Sequence, residues 1–79
     1  MNIKLIQGEF SGNDGIELIA QMIQVKIKYH ENKINNHSNE EDIKSFEGKI
    51  KQLQKELFEL RQNYNSNKKL KIEAIIKIE

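Results

Sequence analysis

Two imidazoles and three carboxylates, His30, Glu31, His37, Glu40 and Glu41, fall close together in a chain of 79 residues. Nitrogen and carboxylate oxygen are what zinc accepts, but a site needs three or four of them converging. The spacing His-x6-His across an asparagine-rich stretch matches no common ligand pattern. His30 is therefore expected to end an apolar helical stripe, and His37 to be a solvated turn residue. The candidate nucleophiles are Ser11, Ser38, Ser45 and Ser66; Ser38 stands beside His37, with no third member to orient a base. Cysteine is absent, which removes thiolate chemistry, thiolate zinc sites and disulfides together.

The segment Gly8-Glu9-Phe10-Ser11-Gly12-Asn13-Asp14-Gly15 has the glycine content of a phosphate-cradling loop. Glu9 and Asp14, however, put negative charge where a phosphate would sit. Neither GxGxxG nor a Walker lysine is present, so the segment reads as a bulge, a turn and a helix cap. The lysines Lys68, Lys69, Lys71 and Lys77, with Lys44, Lys49, Lys51 and Lys55, are the raw material of a polyanion site. Against that stand a net charge of +1, a single arginine (Arg61), the interrupting Glu73 and Glu79, and no aromatic among them to stack on bases. Lysines that protect a strand edge are the better reading. No catalytic, cofactor or metal site is expected, and the chain is not read as an enzyme.

What must position these groups is clearer. Ile43, Phe46, Ile50, Leu53, Leu57, Leu60 and Tyr64 follow an unbroken 3-4 spacing, the seam of a short coiled coil. This helix is expected over about 39–64, with Ser38 and Glu41 in capping-box spacing ahead of it. Asn63, Asn65, Ser66 and Asn67 are suited to ending it. An earlier helix over about 14–34 carries Ile16, Ile19, Ala20, Ile23, Ile27, His30 and Ile34 on one side. Leu18, Met22, Val25 and Tyr29 form a second row roughly 140° away. A helix apolar on two sides must be covered twice. Gly48, in the middle of the second helix, has no explanation in the sequence.

The ends read as strands. Over about 2–10, Met1, Ile3 and Leu5 face one way; Ile6 breaks the alternation, and Gly8 offers a bulge that returns Phe10 to the core face. Over about 69–78, Leu70, Ile72, Ala74, Ile76 and Ile78 alternate with charged residues, Ile75 being the exception.

The predicted fold is α+β, one domain over 1–79 in the order β-α-α-β: an antiparallel helical hairpin on two antiparallel terminal strands. A two-stranded sheet is marginal in water, and so small a core supplies only about 3–5 kcal/mol. Pairing with a second copy would give a four-stranded sheet and cover the second stripe. The expected function is accordingly a small interaction or assembly module acting as a homodimer. Leu18, Met22, Val25, Tyr29, Phe58 and Ile75 are its candidate contacts, and a further protein partner would use the same surfaces. The alternative is weak nucleic-acid binding through Lys68, Lys69, Lys71 and Lys77. No leader and no run of about 20 apolar residues is visible, so a soluble, cytoplasmic protein is expected.

Overall fold

A computed structural model describes residues 1–36, 39–64 and 67–79. His37, Ser38, Asn65 and Ser66 lie outside the described residues, and with them the turn histidine, the Ser38 cap, the Ser66 hydroxyl and part of the expected helix stop. The elements are β1 (Asn2–Ser11), α1 (Gly12–Asn36), α2 (Glu40–Asn63) and β2 (Lys69–Lys77). The protein is thus a small α+β fold, two antiparallel terminal strands and a two-helix hairpin, in the order the sequence predicts.

Each boundary has a local cause. The expected loop between β1 and α1 does not exist: the strand runs to Ser11 and the helix starts at Gly12. Ser11 serves both elements, since its Oγ accepts the Asp14 N–H at 3.2 Å while its backbone completes the strand. The helix can turn so abruptly because Gly15 has no side chain. A Cβ there would stand 3.0 Å from Leu70 Cδ1 and 3.1 Å from Ile72 Cδ1. Gly15 therefore serves packing, with Leu70 and Ile72 of β2 close against it. At α2 the cap is Asn39, whose side-chain oxygen accepts the Glu41 N–H at 3.0 Å.

The sheet pairs Phe10 with Leu70, Gly8 with Ile72, Ile6 with Ala74 and Ile3 with Ile76. The expected bulge is real but sits earlier, between Lys4 and Ile6. Leu5 is the inserted residue and is exposed, as is Met1. Ile6 takes the core position expected for Leu5, because one extra residue reverses the facing of everything beyond it. Gly8 stays in the ladder with a φ of +141°, a conformation side chains rarely adopt.

The helices meet antiparallel along the predicted seam. Ala20 and Ile27 of α1 and Leu53 of α2 are the buried hydrophobics among the described residues. Among the described residues only α1 lies against both the sheet and α2; Leu60 of α2 and Tyr64, just beyond its end, share a groove of about 180 Å³ with Ile19, Leu70, Lys71 and Ile72. Laid end to end, β1 and α1 would need about 70 Å. The longest molecular extent is 44 Å, so α1 folds back from the strand. It does not lie flat on the sheet, however: Ile3, Ile6 and Ala74 stay half-buried and Ile76 is exposed. The radius of gyration is accordingly 15.0 Å, against about 12 Å for a compact chain of this length.

Candidate interaction surface

The chemistry-bearing residue that the fold buries is His30. It is only 6% exposed, stacked on Phe46 (centroids 6.0 Å, 25° between planes) and edge-on to Tyr29 at 5.5 Å. Neither ring nitrogen has a hydrogen-bond partner among the described residues. The imidazole thus closes the apolar seam, as its place on the stripe predicts, and packs as a flat ring. Beside it, Lys26, Lys49, Gln52, Leu53 and Glu56 line a groove of about 280 Å³ between the helices. Gln52 Nε2 donates to Glu56 Oε1 at 3.2 Å, while the Lys49 ammonium lies 5.9 Å from the Phe46 ring centre. Glu31, Glu40 and Glu41 are all exposed. Among the described residues no three His, Asp or Glu side chains come together in a way that could hold a metal ion. Ser11 is engaged as a cap, and Ser45 is on the exposed side of α2.

The second stripe of α1 is open. Leu18, nearest the sheet, is half-buried and shares a groove of about 340 Å³ with Phe10, Asp14, Glu17 and Gln21. Further along, Met22 is 38% exposed, Val25 71% and Tyr29 56%. Exposure is least at the end of α1 that rests on Leu70 and Ile72 and peaks at Val25. Lys33 covers part of Tyr29, its ammonium 5.5 Å from the ring centre.

Phe58 and Ile75 are both exposed, and they sit on α2 and β2, elements that do not pack against each other among the described residues. Phe58 lies on α2, roughly 100° from the neighbouring seam residue Leu57. Ile75 is on the sheet face turned away from α1, opposite Lys4. Lys68, Lys69, Lys71 and Lys77 are exposed, and across the strands Lys69 faces Ser11, Lys71 faces Glu9 and Lys77 faces Asn2. Two surface features went unpredicted, the exposed Leu5 and the half-open inner face at Ile3, Ile6, Ala74 and Ile76. The break in alternation at Ile6 was the signal for the first.

Site and fold together define a small α+β protein, two antiparallel terminal strands and a two-helix hairpin, that leaves apolar side chains of α1, α2 and the strands exposed. No family model matches the chain, and no curated protein or solved structure is significantly similar to it. No helix of the described residues is long and apolar enough to cross a membrane.

Proposed function

We propose that this chain is a small non-enzymatic interaction or assembly module that acts as a homodimer. Its sheet joins that of a second copy into a four-stranded one, and the open stripe of α1 lies at or beside the contact. The observation that carries the reading is area. A folded monomer of 9.3 kDa exposes about 5,000 Å², whereas this chain exposes 6408 Å². The excess of roughly 1,400 Å² is more than the ~800 Å² per partner that a stable dimer hides. Sedimentation velocity at micromolar concentration tests it: a species of twice the chain mass is expected. A monomer that still unfolds cooperatively overturns the proposal.

A second reading, weak nucleic-acid binding through Lys68, Lys69, Lys71 and Lys77, draws on the exposure of those four lysines. The Glu9–Lys71 pairing weakens it. It requires a mobility shift that fades steeply with added salt, and no shift at low salt dismisses it.

A further inference from the structure

β2 is the regular strand of the pair, whereas β1 carries the Leu5 insertion and the left-handed Gly8. Ile78 exchanges both backbone hydrogen bonds with Met1: its N–H donates to the Met1 carbonyl at 2.8 Å, and its carbonyl accepts from the Met1 nitrogen at 2.7 Å. In an antiparallel ladder, residues bonded to the partner strand alternate with residues whose N–H and C=O point the opposite way. Counting back from Ile78, the backbone groups of Lys77, Ile75, Glu73, Lys71 and Lys69 face the free edge of β2.

Resting on the homodimer reading, we infer that a second copy of this chain pairs antiparallel along that edge, with Ile75 opposite Ile75 of its twin. A two-fold axis through the sheet sets its central residue opposite itself. Centring on Lys69, Lys71, Glu73 or Lys77 therefore opposes like charges, and among the residues that face the edge Ile75 is the remaining choice. From Ile75 the register sets Glu73 against Lys77 and Lys71 against Glu79, once from each copy. On the face toward α1 it sets Ala74 against Ile76 and Ile72 against Ile78, which makes the half-open apolar face continuous.

Shifted centres do worse. Leu70 opposes Lys69 to Lys71, Ala74 opposes Lys71 to Lys77, Ile76 opposes Glu73 to Glu79, and Ile72 leaves Ile75 against Lys69. Within its own sheet Glu73 faces Gln7 and Lys77 faces Asn2, so neither charge is matched across the native pair. The apolar Ile75 on an otherwise charged face is explained by the same axis.

The test is a charge exchange on exposed positions. Glu73→Lys should raise the dimer dissociation constant roughly tenfold or more, because two attractive cross-strand pairs become repulsive. Lys77→Glu should do the same, and the double exchange Glu73→Lys with Lys77→Glu should restore the wild-type constant. In the same protein, Ile75→Cys should oxidise to a covalent dimer, since the paired Cα atoms would stand about 5.5 Å apart. The chain has no other cysteine to compete. Gln7→Cys, on the other strand, should remain uncrosslinked. A monomeric wild type removes the homodimer reading and this register together. A dimer that is indifferent to Glu73→Lys, is not rescued by the exchange, or does not crosslink through Ile75→Cys removes the register and leaves the homodimer standing.

Discussion

Replacing Gly48 by alanine should stabilise this protein. Gly48 lies in the middle of α2, on its exposed side, and an added Cβ would meet nothing within 4 Å. The substitution therefore gains helix propensity with no packing term to oppose it, about 1 kcal/mol. For a domain of this size that corresponds to a rise in Tm of roughly 4–8 °C. Gly15→Ala is the matched control. It gains the same propensity, but its Cβ would press on Leu70 Cδ1 at 3.0 Å, Ile72 Cδ1 at 3.1 Å and Leu70 Cβ at 3.4 Å. Overpacking of that kind costs about 1–3 kcal/mol, so the net change should be a loss of up to about 2 kcal/mol. Thermal unfolding followed at 222 nm, with urea midpoints at a fixed protein concentration, measures both; concentration must be held because association shifts apparent stability. If Gly48→Ala gave no gain, the outer side of α2 would be occupied in solution. If Gly15→Ala were stabilising, α1 would not rest on β2 as described.

Three further changes probe separate parts of the fold. Gly8→Ala should cost about 1–3 kcal/mol, although the space around Gly8 is empty, because φ is +141° there; urea midpoints will show it. His30→Phe keeps a flat ring against Phe46 and removes two unpartnered buried nitrogens, so stability should hold or rise by about 1–2 kcal/mol. A loss on calorimetry would mean that the imidazole has a partner in solution. Asn39→Ala removes the acceptor for the Glu41 N–H and should lower stability by about 1 kcal/mol, with helical circular dichroism reduced near the transition.

The helical hairpin was legible before the structure because the 3-4 spacing from Ile43 to Tyr64 admits only one buried side. The alternation from Leu70 to Ile78 likewise admitted only one core face. Both are local periodicities, and local geometry reads them directly. The second row on α1 was legible as a surface needing cover, and it remains open in the single chain. Less visible was the exit from β1. Ser11, Gly12, Asn13 and Asp14 look like a loop, and only the close approach of Gly15 to Leu70 and Ile72 shows why strand and helix join without one. The bulge could be anticipated but not placed, since both the Ile6 break and Gly8 permit it.

The amino-acid sequence by itself determined the four elements, their order, and the charge pattern of the last strand, because each follows from side-chain type repeated at a fixed period. Only the tertiary structure decided that α1 leans on the sheet at one end and rises from it at the other, that Ile6 displaces Leu5 from the core face, and that His30 is sealed with no hydrogen bond among the described residues. Those outcomes depend on how segments distant in sequence meet: the Gly15 contact with β2 and the stacking of Phe46 on His30. No periodicity within a segment encodes the angle at which it meets another.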